Sequence, residues 1–218
     1  MILRRAIRLR PSAFLIVLLG AIASATAGEA QTPHAMVETA AKDLLQVLEA
    51  RRDSFDQDPD GFYRAVAGTL EPIVDFSGLA RQVMGAYARK ASDEQLARFA
   101  ETLKWGLVRV YSRTLLKYDN EEIRVLPPRT KPRDPDRVTV EMEVVAGERE
   151  YPIEYSMRYD NGQWRVVNLT IIGANMALTY NSQFADAMED RLYGGDLDEV
   201  IDDWAKTLQP VSSESADR

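Results

Sequence analysis

The hydrophobic period of this chain turns from helical to alternating at a stretch reading PPRTKPRDPD (residues 127–136) that holds four prolines in ten positions. Before it, apolar residues recur every three or four positions, the spacing of one helical face. Beyond it they take every second position, the spacing of one strand face. Proline fixes φ and lacks the N–H that a helix or a sheet ladder needs, so neither element runs through this stretch. A chain divided in this way is expected to fold as α+β, with helices gathered on a mostly antiparallel sheet, in place of alternating βαβ units.

In the first half, Val37, Ala40, Ala41, Leu44 and Leu48 lie on one helical face, with polar residues opposite. Asp58-Pro59-Asp60 starts a second helix through Phe62, Tyr63, Val66 and Leu70, which stops near Pro72. A third, short helix is expected over Leu79 to Tyr87. Ser92 and Gln95 then form a capping box that opens the longest helix. Its stripe is Leu96, Phe99, Leu103, Leu107, Val110, Tyr111 and Leu115. At the far end of the chain, Asp196 and Glu199 make a second capping box before a helix with Leu197, Val200, Ile201, Trp204 and Leu208 on one face.

In the second half, Val138, Val140, Met142 and Val144 alternate with Thr139, Glu141 and Glu143, so one sheet face is apolar and the other wet. After the turn at Ala146-Gly147-Glu148, a second strand carries Tyr151, Ile153, Tyr155, Met157 and Tyr159 on one side. Asp160-Asn161-Gly162 supplies a hairpin turn, because Asn and Gly accept positive φ, and Gln163 to Ile172 returns as a third strand. Glu121 to Leu126 makes a fourth.

The N-terminus reads as a leader for export. Arg4, Arg5, Arg8 and Arg10 precede an uncharged apolar run, Ala13 to Ala23, and Ala25-Thr26-Ala27 fits a small-x-small cleavage site. The run is shorter than the about 20 residues a bilayer span needs. Residues 1–27 are therefore expected to be a signal peptide of the general export route, residues 28–210 a single domain, and 211–218 a disordered tail. Absence of cysteine excludes a lipoprotein anchor, a disulfide framework and a thiol nucleophile. Loss of the leader would leave 23 basic against 34 acidic side chains, about −11, a balance that disfavours nucleic acid and lingering on anionic membranes. The four cations Arg129, Lys131, Arg133 and Arg137 are read as a solvated loop, with contact to a phosphate headgroup or an acidic partner as the alternative. His34, near the start of the exported chain, is given no metal or catalytic role.

From Trp164 to Phe184 a strand, WRVVNLTII, passes through Gly173 into ANMALTYNSQF, closing on Tyr180, Asn181, Ser182, Gln183 and Phe184. This resembles the closing signature of the MlaC family of secreted phospholipid-binding proteins, also called toluene-tolerance or Ttg2-type proteins, which usually have Arg where this chain has Asn181. Phe76, Ala80, Met84 and Gly85, ahead of ARKASDEQLARFAETL, resemble a second block of that family, with Ala88 where members often have Trp. The resemblance implies a curved sheet of about four strands wrapped by helices, an NTF2-like cone enclosing an apolar cavity. It also implies periplasmic phospholipid carriage between an outer-membrane lipoprotein-porin complex and an inner-membrane ABC transporter with an MCE ring protein, in maintaining outer-membrane lipid asymmetry. A monomer without metal or cofactor, binding phospholipid as its ligand, is expected.

The lining of such a cavity is read from the apolar faces. The helices are expected to contribute Val83, Met84, Leu103, Leu107 and Tyr111. The strands are expected to contribute Val138, Val140, Met142 and Val144, then Ile153, Tyr155 and Met157, then Leu169 and Ile171. Met176 and Tyr180 complete the set. These side chains suit acyl chains because they offer dispersion contacts without stranding polar groups, and the methionines adapt to chains of different shape. Each of these residues, read singly, is equally at home in an ordinary core. Three alternatives are weighed. The ligand is another lipid such as a hopanoid, the chain is an NTF2-like enzyme, or it is an adaptor with a filled core. Catalysis is disfavoured, since the strand carboxylates alternate onto the wet face and no nucleophile elbow, metal spacing or phosphate loop is present.

Overall fold

The structure, a computed structural model, describes residues 31–116, 122–129, 131–190 and 193–207; the expected leader, the tail and Leu208 lie outside those residues. The first helix, α1, runs Pro33–Arg51, and the Thr32 hydroxyl caps it by accepting from the Ala35 N–H at 3.2 Å. Pro33 needs no donor in the first turn, so the helix begins before its apolar stripe does, and His34 lies inside it. Helix α2 (Pro59–Leu70) is capped by the Asp58 carboxylate on the Gly61 N–H at 2.8 Å, as the Asp-Pro-Asp signal implies.

Helix α3 (Phe76–Met84) starts three residues before the expected Leu79, because the Asp75 carboxylate accepts from the Gly78 N–H at 2.7 Å. It ends at Gly85, whose φ of 55° suits a residue without a Cβ. A Cβ there would also stand 2.5 Å from Asn181 Nδ2. A 3-10 turn, Gly85–Arg89, then leads to α4 (Asp93–Leu115). Both halves of its capping box form: the Gln95 N–H donates to Ser92 Oγ at 3.1 Å, and the Ser92 N–H donates to Gln95 Oε1 at 3.0 Å. Helices α5 (Met176–Glu189) and α6 (Leu197–Thr207) complete the helical set. The Asp196 carboxylate accepts from the N–H groups of Asp198 and Glu199 at the start of α6.

The sheet has five antiparallel strands in the order β1 (Glu122–Val125), β2 (Arg137–Ala146), β3 (Arg149–Asp160), β4 (Gln163–Ile171) and β5 (Ala174–Asn175). The fifth strand is too short to show a period. It forms because the Ile172–Gly173 turn folds Ala174 and Asn175 back onto Ile171 and Thr170. A bulge at Val167 pairs Met157 with Val166 but Ser156 with Asn168. The extra residue brings Val166 and Leu169, an odd number apart, to one face. That inner face therefore carries Val138, Met157 and Val166 in one row and Val140, Tyr155 and Leu169 in the next. The opposite face holds the register row Arg137, Arg158 and Arg165, with Glu141 and Glu154 further along.

Buried apolar side chains form three separate clusters. One joins α3, α4, α5 and α6 around Phe99, Phe184 and Trp204, whose rings meet at 4.9 to 5.8 Å between centroids. Edge-to-face aromatic pairs of this kind contribute about 0.5–1.5 kcal/mol each beyond their buried area. A second joins α1, α2 and α4 around Leu48, Phe62 and Val66. The third lies on the inner sheet face, where Val37 of α1 meets Val140, Met142, Met157 and Val166. A single domain ordinarily builds one contiguous core. Here the apolar face of the sheet and the helical core remain distinct.

Candidate functional site: the seam between sheet and helices

Four of the expected lining residues lie outside all three clusters, and they define a seam between the sheet and the helices. Leu169 and Ile171 of β4, Met176 at the start of α5 and Tyr111 of α4 are half-buried, and none belongs to a packed cluster. Helices pack on the sheet at its two flanks, α1 against β1 and β2, and α3 and α5 against β4. Asn168 ties α5 to the sheet by accepting the Ala177 N–H at 3.1 Å, while Asn175 caps the helix on the Leu178 N–H. Met176, between them, is thereby placed beside the inner end of β4.

The expected lining divides into three groups. Val83, Met84 and Leu103 are fully enclosed among the helices with Phe184, and Leu107 and Tyr180 pack on the rim of that cluster. Val140, Met142 and Met157 are buried on the inner sheet face, with Val138, Val144, Ile153 and Tyr155 half-buried around them. Leu169, Ile171, Met176 and Tyr111 form the seam itself. Leu169 and Ile171 share the inner sheet face with the sheet group, Tyr111 and Met176 meet beside it on α4 and α5, and Val83, Met84 and Leu103 belong to the helical cluster. The inner face also receives Met36, Val37 and Ala41 from α1 and Ile123 and Val125 from β1, which the sequence reading left out of the site. Alternation in β1 was available as a signal. Docking of α1 on this face was not, because an amphipathic stripe does not name its partner.

Three tyrosine hydroxyls lie on the sheet face and along the seam. Tyr111 Oη lies 3.2 Å from Tyr180 Oη and 3.9 Å from Met176 Sδ, and Tyr155 Oη lies 3.7 Å from Met142 Sδ. Burial pushes the Tyr155 phenol up to about 12. Burial, followed by the hydrogen bond to Tyr111, raises Tyr180 further. Tyr155 and Tyr180 therefore stay neutral near pH 7, so they offer whatever occupies the surface dispersion and neutral hydrogen bonds. Strand charges sit on the opposite face, where Arg158 pairs with Asp75 at 3.0 Å and Arg129 with Glu141 at 2.7 Å. Arg129 and Arg137 thus find carboxylate partners beside the sheet, and Lys131 and Arg133 are exposed.

Two open clefts lie elsewhere. One, of about 560 Å³, runs between α1 and α2 past Met36, Asp43, Val47 and Gly68. The other, of about 500 Å³, is polar and is lined by Lys104, Glu71, Glu101 and Arg165 among others. None of the expected lining residues contributes to either cleft. Lys104 is already paired with two carboxylates, Glu71 and Glu101, each at 2.8 Å. Among the described residues, no group of three or more His, Asp or Glu side chains is placed to hold a metal ion.

The closing motif has structural work to do. Phe184 is fully buried against Phe99, Tyr180 meets Tyr111, and the Asn181 amide donates to the Val83 carbonyl at 2.9 Å. That last bond satisfies a carbonyl at the end of α3 beside Gly85, a contact that Asn is short enough to make.

Comparison with known proteins places the chain by sequence and by fold. The chain is 38% identical over 193 residues to the toluene tolerance protein ttg2D of Pseudomonas putida, covering 88% of this chain and 87% of that one. It is 23% identical over 164 residues to the intermembrane phospholipid transport system binding protein MlaC of Haemophilus influenzae, covering 73% and 76%. Among solved structures, a phospholipid-binding protein from Ralstonia solanacearum, in complex with a phospholipid, superposes with a TM-score of 0.71 at 25% identity, covering 80% of this chain and 97% of that one. The family model described as MlaC protein matches residues 38–206, from the second turn of α1 to the end of α6. With nearly every described element inside that match, and with its two sequence blocks forming the contact of α3 with α5, the chain belongs to the MlaC protein family.

Proposed function

We propose that this protein is a periplasmic phospholipid carrier, which holds acyl chains against the inner sheet face and the seam of Leu169, Ile171, Met176 and Tyr111, and leaves the headgroup near solvent. The observation that carries this reading is the failure of the sheet's apolar face to merge with the helical core. Half-buried apolar side chains along that boundary gain from a ligand that covers them, and the neutral tyrosines beside them make no demand for a charged one. Kinship with phospholipid-binding proteins supports the class of ligand.

Carriage requires no covalent step. About 30 methylenes of a diacyl lipid, at ~0.8 kcal/mol each, give a nominal transfer term above ~20 kcal/mol relative to water. Escape into water is correspondingly slow, so lipid leaves when a membrane or a partner receives it. The expected partners are an outer-membrane lipoprotein-porin complex and an inner-membrane ABC transporter with an MCE ring protein. Residues 1–27 direct export and are removed, residues 28–210 form the carrier, and residues 211–218 are a disordered tail. No cofactor takes part.

Native mass spectrometry of the exported protein, purified without detergent, tests the reading. The expected result is a stoichiometric mass shift that resolves into diacyl phospholipids. A polycyclic lipid in their place would replace the ligand class. A clean apo mass that persists after incubation with phospholipid vesicles would overturn the carrier.

A further inference from the structure

Helix α5 puts Met176 and Tyr180 one turn apart on one face, and α4 brings Tyr111 against both, its hydroxyl 3.2 Å from Tyr180 Oη and 3.9 Å from Met176 Sδ. All three side chains are half-buried. Tyr180 rests on the rim of the helical cluster, its ring 5.9 Å from that of Trp204, while Tyr111 and Met176 stand outside every packed cluster. The two hydroxyls thus meet where the helical core gives way to the seam.

Their protons do not balance. Two hydroxyls carry two protons, and one is used between them, whichever tyrosine donates. The other has no oxygen or nitrogen acceptor among the described residues; it meets at best the Met176 thioether, a weak one. Ser112, the next residue on α4, shows the contrast, since its short side chain donates to the Val108 carbonyl of its own helix. A phenol holds its hydroxyl away from the backbone and must find an acceptor elsewhere. Water serves while the seam is open, but lipid that covers the seam displaces it and must supply the acceptor or strand the proton.

We propose that the Tyr111–Tyr180 pair donates this proton to an ester carbonyl of the bound diacyl lipid, which sets how deep the lipid sits and selects ester-linked over ether-linked chains. This rests on the carrier reading above. An ester carbonyl is a strong, neutral acceptor at the head of an acyl chain, so it can follow that chain onto an apolar surface at little cost. A phosphate fits less well. Neither hydroxyl bonds a cation among the described residues, so an ionised group placed here would lose its water without gaining a counter-charge. Burial, followed by the bond to Tyr111, also makes the Tyr180 phenol a weaker acid than usual, which keeps it a donor.

The test is competition. The exported protein is loaded from vesicles holding equal amounts of dioleoyl phosphatidylcholine and its diether analogue, and native mass spectrometry reads which lipid it takes. The diether has a methylene in place of each carbonyl, so a purely apolar site would take it as readily or better. The parent is expected to favour the ester lipid about fivefold, the effect of one neutral hydrogen bond. Tyr111→Phe/Tyr180→Phe removes both hydroxyls at nearly constant volume; it should melt close to the parent and take the two lipids equally. A parent without the ester preference, or a folded double variant that keeps it, would overturn the proposal. Should the double variant fail to fold, infrared spectra of lipid bound to the parent decide, since an ester carbonyl stretch not lowered by hydrogen bonding also overturns it. A parent that takes up neither lipid is a different outcome, and it removes the carrier reading itself.

Discussion

Replacing Leu169 by Trp locates the lipid groove. Leu169 stands opposite Tyr155 in the β3–β4 ladder, is half-buried and lies outside all three packed clusters, so an indole there projects into the seam. If it displaces about four methylenes of an acyl chain, at ~0.8 kcal/mol each, the bound lipid loses about 3 kcal/mol. At about 1.4 kcal/mol per decade, that is roughly a hundredfold loss in retention. Val140 provides the contrast. It lies on the same face, two strands away, but has no exposed surface, so Trp there must push β2 from α1 at about 1–3 kcal/mol of folding stability or more. Native mass spectrometry reads lipid occupancy and thermal unfolding reads the fold. Leu169→Trp is expected to lower occupancy with melting little changed, and Val140→Trp to lower melting. A Leu169→Trp protein that is folded and fully loaded would refute the placement of acyl chains along this seam.

Two further perturbations probe the frame that holds the site. Lys104 is 7% exposed between Glu71 and Glu101, which are themselves well exposed. Lys104→Met should therefore cost less than about 1 kcal/mol, because both carboxylates return to water, whereas Glu71→Gln/Glu101→Gln strands a buried ammonium and should cost about 3–5 kcal/mol. Equal losses in urea unfolding would contradict this asymmetry. Tyr155, whose phenol burial raises from 10.0 to about 12, favours the folded state only while it is neutral. Its contribution is complete below pH 10 and is lost as pH climbs toward 12. Denaturation midpoints should accordingly fall less steeply over that window in Tyr155→Phe, and parallel curves would count against the burial of this hydroxyl.

Several features of the chain are decided by neighbours in sequence. A capping box needs only Ser92 and Gln95 three residues apart, and an Asp58-Pro59 start needs only its own first turn, so both form where the residues prescribe. The same holds for the alternation of Val138, Val140, Met142 and Val144 and for the Asn161-Gly162 turn, whose geometry is local. The α+β class and the MlaC resemblance follow from that layer, since period and motif order survive without any knowledge of partners. Tertiary structure decided everything that depends on which faces meet. Periodicity marks Val83, Met84 and Leu103 as apolar but cannot say that they face Phe184 while Val140 and Met157 face Val37. The bulge at Val167 shifts the sheet register by one residue, and the two-residue strand β5 exists only because β4 is there to pair with. The seam itself depends on two apolar faces remaining separate clusters, which is a property of no single residue: it is set by long-range packing that leaves no local trace in the order of amino acids.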